Sequence, residues 1–208
     1  MTQRTITLSA SGIVTALPDR VMITLGVMSE APTAREALDA NTAAMRKVID
    51  TLKGEGLGDR DVQTSDFSIG PRYEYTQDGK PPKLVGYQVT NMVTIRVTDI
   101  AKLGTILDKS VGEGSNQING IRFEVSDAGT RLDEARKTAV ANARRMAELY
   151  ATAAGARLGQ VLKIEEATYH PGPIPMMRQA AAAEAAPVPI EAGEQTLQVT
   201  VTITYALE

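Results

Sequence analysis

The stretch Val85-Gly86-Tyr87-Gln88-Val89-Thr90-Asn91-Met92-Val93-Thr94-Ile95-Arg96-Val97 decides the fold class. Val85, Tyr87, Val89, Asn91, Val93, Ile95 and Val97 share one parity, and mostly small or polar residues take the other. A period of two marks a half-buried strand, because successive side chains leave a strand on opposite faces. The run outlasts the usual strand of about five or six residues, so it either crosses two sheets or bends midway. Asp99 then stands where an N-cap belongs. Ile100, Leu103, Ile106, Leu107 and Val111 follow at helical spacing, and Gly112-Glu113-Gly114 stops that helix.

Upstream, Ile6, Leu8 and Ala10 alternate with Thr5, Thr7 and Ser9, and Val21, Ile23, Leu25 and Val27 repeat the alternation after a break at Pro18-Asp19. A short turn over residues 16–20 makes these two strands an antiparallel hairpin. Pro32 suits a first helical turn. Ala34, Ala37, Leu38, Asn41, Met45, Val48, Ile49 and Leu52 form the apolar stripe of that helix, with Gly54 as its stop. Asp61 to Tyr75 holds a third strand. Val62 and Thr64 share one parity there and Phe67 and Ile69 the other, which a bulge near Ser65-Asp66 reconciles. The polar segment Thr76 to Pro82 then turns the chain into the long strand.

Downstream, Ile121, Phe123 and Val125 make a fifth strand. Asp127 or Thr130 caps a third helix with Leu132, Ala135, Ala139, Ala143, Met146, Ala147, Tyr150 and Ala151 on one face, closed by Gly155. An alanine stripe lets a helix axis come close to its partner, while Asp133 with Lys137 and Arg144 with Glu148 pair on the outside at i, i+4 spacing. Val161 and Ile164 centre a sixth strand. Leu197, Val199, Val201, Ile203 and Tyr205 form the last. Between them, Pro171 to Pro189 lacks sustained alternation and reads as an exposed, mobile excursion.

The order β-β-α-β-β-α-β-α-β-β specifies an α+β architecture with three helices covering one face of largely antiparallel sheets. Two interlocked lobes follow, residues 1–82 and 83–208, sharing the long strand.

Composition narrows the chemistry. The chain has 208 residues, 43% hydrophobic and 23% charged, which is the globular range. It has no Cys and one His, so thiolate nucleophiles, zinc clusters and iron-sulfur ligation are out. Its 22 basic against 25 acidic residues give a net charge of -3 without a basic concentration, which argues against a nucleic-acid partner. No apolar run nears the roughly 20 residues of a membrane-spanning helix. Met1 to Arg4 runs directly into the first strand, leaving a cytosolic chain or one whose export leader has been removed.

Few side chains suggest a site. Gly54-Glu55-Gly56-Leu57-Gly58 follows a helix end instead of leading into a helix start, so it reads as a stop and not as a phosphate cradle. His170, in Tyr169-His170-Pro171-Gly172, has no Ser or Asp pattern beside it and reads as a solvated loop residue. Glu165 and Glu166 leave their strand on opposite faces and cannot act as an adjacent acid and base. Asp66, Asp99, Asp108, Asp127 and Asp133 lack calcium-loop spacing, and capping accounts for Asp99 and Asp127. Tyr73, Tyr75 and Tyr87 flank one hairpin and favour cross-strand packing over base stacking. Met176 and Met177 supply adaptable apolar contact or loop filler.

Several of these residues form a wider pattern. Ser11-Gly12, Val14 and Ala16-Leu17-Pro18-Asp19; Gly86-Tyr87-Gln88-Val89-Thr90-Asn91; Gly120-Ile121 with Phe123; Glu134-Ala135-Arg136 with Ala139-Val140 and Ala143; and Gly159 with Ile164 together resemble the SIMPL-domain family. The resemblance implies an exported α+β protein of the cell envelope, like the periplasmic immunogenic and oxidative-stress-defence-like members, and an ability, found in some members, to form ring-like or barrel-like homo-oligomers. It implies no catalytic residues, cofactor or metal. The resulting expectation is a non-enzymatic periplasmic protein that self-assembles through strand edges and its alanine-rich helix, with a role in envelope or oxidative stress tolerance. The alternative is a monomeric module that captures an extended peptide or small ligand along a sheet edge, using Tyr73, Tyr75 and Tyr87. An enzymatic reading would need His170.

Overall fold

The computed structural model describes residues 4–75, 81–167, 174–176 and 190–208. In chain order the elements are β1 (Thr5–Ala16), β2 (Arg20–Ala31), α1 (Ala34–Gly54), β3 (Val62–Glu74), β4 (Lys83–Val97), a 3-10 turn (Ile100–Lys102), α2 (Leu103–Gly112), β5 (Gln117–Glu124), α3 (Ala128–Ala153), β6 (Leu158–Glu166), β7 (Ile174–Met176) and β8 (Glu194–Leu207). The α+β class, the three helices and the antiparallel sheets match the sequence order. β7 is an addition: part of the segment read as an excursion lies as a strand against Glu194–Thr196. The segments 171–173 and 177–189 lie outside the described residues.

The opening hairpin is a correction. β1 pairs with β8 along its whole length, from Thr5↔Ala206 to Ala16↔Gln195, while β2 pairs with β4 and β5. Local alternation is identical in the two cases, and only the long-range partners separate them. The chain accordingly divides into one unit built from Met1–Pro18, Val125–Ala180 and Ala192–Glu208, and another from Asp19–Glu124 with Ala181–Glu191. This differs from a division at residue 82, which would part β3 from β4 although they pair from Val62↔Ile95 to Glu74↔Lys83. Nor does β4 cross sheets. Its sheet runs β3-β4-β2-β5, and its length is absorbed by the bulge expected at Ser65 on β3 and a second at Val85 on β4.

In the first unit the sheet order is β1-β8-β6, with β7 also on β8, so the C-terminal strand is interior and not an edge. One face carries Ala10, Val199, Val201, Ile203 and Tyr205 against Ala135, Ala139, Ala143 and Ala147 of α3. The alanine stripe is fully buried against its own sheet, while Val140, Leu149 and Tyr150 stay exposed on the other faces of the helix. Gly12 shows how close the helix lies. A Cβ at that position would fall 1.9 Å from the Ala135 carbonyl oxygen and 2.6 Å from the Ala139 nitrogen. Asn142 Nδ2 adds a hydrogen bond to the Ser11 carbonyl at 3.0 Å. Tyr150, placed on the buried stripe by spacing, is exposed instead.

In the second unit Val21, Ile23, Leu25 and Val27 of β2 and Val93, Ile95 and Val97 of β4 meet Met45, Val48 and Leu52 of α1 and Leu103, Ile106 and Leu107 of α2. Asn41, buried on the apolar stripe of α1, donates through Nδ2 to the Val27 carbonyl at 2.8 Å and the Val89 carbonyl at 3.2 Å, fixing the helix to both central strands.

The helix ends modify the sequence reading. Thr33, one residue after Pro32, is the N-cap of α1 in a reciprocal box with Glu36. Gly54 still belongs to α1, and Gly56, at φ 96°, makes the turn. Asp127 and Asp99 occupy cap positions without capping. Asp127 has ψ 25° where Thr33 has 151°, so its carboxylate is not presented to the first helical amides and pairs with Arg131 at 3.0 Å. Asp99 faces Lys102 at 3.7 Å. Arg144 pairs with Glu148 as spaced, whereas Asp133 bonds Arg136 and not Lys137.

Gly12→Ala should lower stability by about 2–3 kcal/mol, the scale of overpacking a rigid core, because the atoms in the way are helix backbone. Denaturant unfolding checks this, with Gly70→Ala as the control at an open position.

Candidate functional site

The bulge at Ser65 shapes the most distinctive surface. Before it, Val62 and Thr64 sit opposite Ile95 and Val93; after it, Phe67, Ile69 and Pro71 sit opposite Asn91, Val89 and Tyr87. The side of β3 that faces the core is thus apolar along most of its length. Val62 packs against the core, but Phe67 is 52% exposed and Ile69 46%. Tyr73 continues the row, and its pairing partner Leu84 is equally open. The result is an apolar shelf on the β3–β4 hairpin.

β3 is also an edge of its sheet. A long edge with apolar side chains is a template for further pairing unless charge or a bulge blunts it. This one carries the Ser65 bulge and, from Arg72, an ion pair to Glu30 on β2 at 2.6 Å.

Of the residues singled out from sequence, Tyr73 and half-buried Tyr87 stand on the same side of adjacent strands, whereas Tyr75 lies past the end of β3 and is largely exposed. Met176 belongs to β7, opposite Glu194, in the other unit; Met177 and His170 lie outside the described residues. Phe67, Ile69 and Leu84 were missed. The parity reversal at Ser65 contained the signal, since it turns Phe67 and Ile69 to the side of Val89.

Several of the acidic residues are tied into structural pairs. Glu166 accepts from Arg136 Nε at 2.9 Å and Nη2 at 3.0 Å, and Glu165 pairs with Lys163 at 2.9 Å. Gly54-Glu55-Gly56 closes α1, and Lys109 pairs with Glu55. A polar notch of about 170 Å³ is lined in part by Asp61, Arg96, Asp99 and Lys102. There Asp61 Oδ1 accepts from Arg96 Nε at 3.0 Å and Nη2 at 2.8 Å, and Oδ2 from the Gly58 N–H at 3.1 Å. These bonds, the guanidinium first, hold the Asp61 carboxyl below its usual range. Among the described residues no group of three or more His, Cys, Asp or Glu is placed to hold a metal, and no helix is long and apolar enough to cross a membrane.

Residues 6–205 match the family SIMPL, described as a protein of unknown function (DUF541). The chain is 40% identical over 211 residues to the 26 kDa periplasmic immunogenic protein of Brucella melitensis, covering 98% of this chain and 84% of that one. It is 30% identical to the uncharacterized protein YggE of Edwardsiella ictaluri, over 86% of this chain and 74% of the relative, and 30% identical to YggE of Escherichia coli K12, over 86% and 72%. The likeness to the Brucella protein places the chain in the periplasm.

The Asp61–Arg96 clasp sets a pH dependence. A depressed carboxyl contributes stability that is fully present above its unfolded pKa and is lost as pH falls through the folded value. Asp61→Asn should therefore flatten the acid limb of a stability-versus-pH curve, measured by urea midpoints, and leave the shape of the curve near neutrality unchanged.

Proposed function

The chain belongs to the SIMPL family, and from that premise we propose that it is a non-enzymatic periplasmic protein that assembles with sister copies through the apolar shelf and open edge of the β3–β4 hairpin. The supporting observation is the exposure of Phe67, Ile69, Tyr73 and Leu84 together on one side of that hairpin. Water contact with four neighbouring apolar groups is unfavourable, and burying them against copies of the same surface removes it. Association through symmetric copies also satisfies an edge strand's unpaired amides and carbonyls. In this reading the assembled shape serves envelope and oxidative stress tolerance, with no reacting side chain required.

A second reading, capture of an extended peptide at the β3 edge, draws on Tyr73 and Tyr75, exposed by 47% and 78% near its end. Strand addition takes its affinity from backbone hydrogen bonds and its selectivity from alternate side chains.

Sedimentation velocity across micromolar concentrations distinguishes the two. Self-assembly gives a particle several times the 22.2 kDa chain mass, shifted toward monomer by Phe67→Lys with Ile69→Lys. A monomer at every concentration would sink that reading, and peptide binding lost on Tyr73→Ala would favour the second. For the stress role, a deletion strain should regain peroxide survival with the wild-type chain and not with the Lys pair.

A further inference from the structure

The outer edge of β6 carries a short self-complementary pattern. β6 pairs with β8 on one side, and among the described residues no strand covers the other. From Lys163 to Glu166 the register is regular, opposite Thr204, Ile203, Thr202 and Val201, and the Ala167 N–H bonds the Thr200 carbonyl at 3.0 Å in that same register. Along an antiparallel strand, residues alternate between turning both backbone groups toward the partner strand and turning both away. Lys163 and Glu165 therefore direct their amides and carbonyls at β8, and those of Ile164 point outward. The side chains of Lys163 and Glu165 stand on the open face, beside Thr204 and Thr202, whose hydroxyls form rungs with those of Thr7 and Ser9. Ile164 stands on the other side with Ile203, yet it is 55% exposed, because α3 packs over β1 and β8.

Charges on an edge ordinarily block pairing with other strands. The alternation here admits one. A second copy turned about a two-fold axis through Ile164 sets this residue opposite the partner's Ile164, where each outward amide donates to the other outward carbonyl. Lys163 then stands opposite the partner's Glu165, and Glu165 opposite the partner's Lys163, in pairs whose Cα atoms are about 4.5 Å apart. Opposite charges so placed stabilise a ladder, and like charges destabilise it. Moving the axis to Lys163, Glu165 or Glu166 sets that residue against its own copy, charge on like charge. Within the regular segment, the axis through Ile164 is the centre that joins opposite charges, and it also brings the two open Ile164 side chains together out of water.

We propose that the outer edge of β6 is a docking site for β6 of a second copy, antiparallel and centred on Ile164, joining two β1-β8-β6 sheets into one with both α3 helices on the same face. The contact lies in the first unit and uses no residue of the apolar shelf, so it goes beyond assembly through the β3–β4 hairpin and stands or falls separately from it. A single strand pair is smaller than a standard interface of about 1,600 Å², so the pair has low affinity alone and covalent trapping reads it most directly.

The chain has no Cys, so one introduced thiol reports one contact. In this register Ile164→Cys meets its own copy at a Cα separation of about 5.5 Å, within disulfide reach, whereas Lys163→Cys lies diagonal to its own copy at about 7–8 Å and is out of reach. Both are made in the full chain carrying Phe67→Lys and Ile69→Lys, which disable the shelf, and are oxidised with diamide. Ile164→Cys is expected to give a covalent dimer, and Lys163→Cys to stay monomeric. Adding Lys163→Glu to Ile164→Cys should slow dimer formation roughly tenfold by setting like charges opposite, and adding Glu165→Lys as well should restore it. Thermal melts confirm that the variants fold. The proposal is overturned if Ile164→Cys stays monomeric, if Lys163→Cys crosslinks as readily, if the single charge reversal leaves the rate unchanged, or if the charge swap fails to restore it.

Discussion

The closeness of α3 to the β1–β8 pair is the constraint from which the first unit takes its form. Where a Cβ on Gly12 would lie 1.9 Å from a helix carbonyl, the helix and strand meet backbone to backbone. That distance admits only small residues on the facing stripe, and Ala135, Ala139, Ala143, Ala147 and Ala151 supply them. Alanine buries little area per residue, so the helix depends on length and intimate contact more than on large side chains for its attachment. The dense packing also commits β1 to β8, because the Gly12 notch is useful only where α3 crosses it. The apparent hairpin partner, β2, instead meets α1 and α2 in the larger, branched core of the other unit.

This difference explains why the fold was only partly legible in the sequence. Strand and helix identities follow from local periods, and even the Ser65 bulge could be read from a parity change between Thr64 and Phe67. Pairing is another matter. β1 and β2 have the same alternation and a short turn between them, and nothing within either strand records that the partners lie near residue 200 and residue 95. β7 was illegible for a related reason: a strand of three residues has no period to detect, and its Pro175 points away from a strand reading. The caps failed on backbone geometry, because Asp99 and Asp127 have the right side chain on the wrong ψ.

The interaction surface was half legible. Tyr73 and Tyr87 were found as aromatics near one hairpin, but Tyr75 falls beyond β3, and the residues that make the surface continuous are Phe67, Ile69 and Leu84. Apolar residues on an alternating strand are naturally assigned to the core. Here the assignment is right about side and wrong about cover: Val62 is packed, while the later residues on the same side remain open. Exposure is a property of where the helices end, and no pattern within β3 reports it.

The two sheets therefore solve the problem of an uncovered surface in chemically opposite ways. On the β3–β4 hairpin the exposed groups are apolar, and their hydration is relieved by contact with something equally apolar. On the β1–β8 pair they are hydroxyls that satisfy each other in part and retain hydrogen-bonding capacity toward water. Contact with the first kind of surface gains from excluding water, whereas contact with the second gains only if the partner replaces water's bonds one for one. Helices brace both sheets, α3 from the face opposite the hydroxyl rungs and α1 and α2 from the same side as the apolar shelf, beyond the reach of which Phe67 and Ile69 stay open.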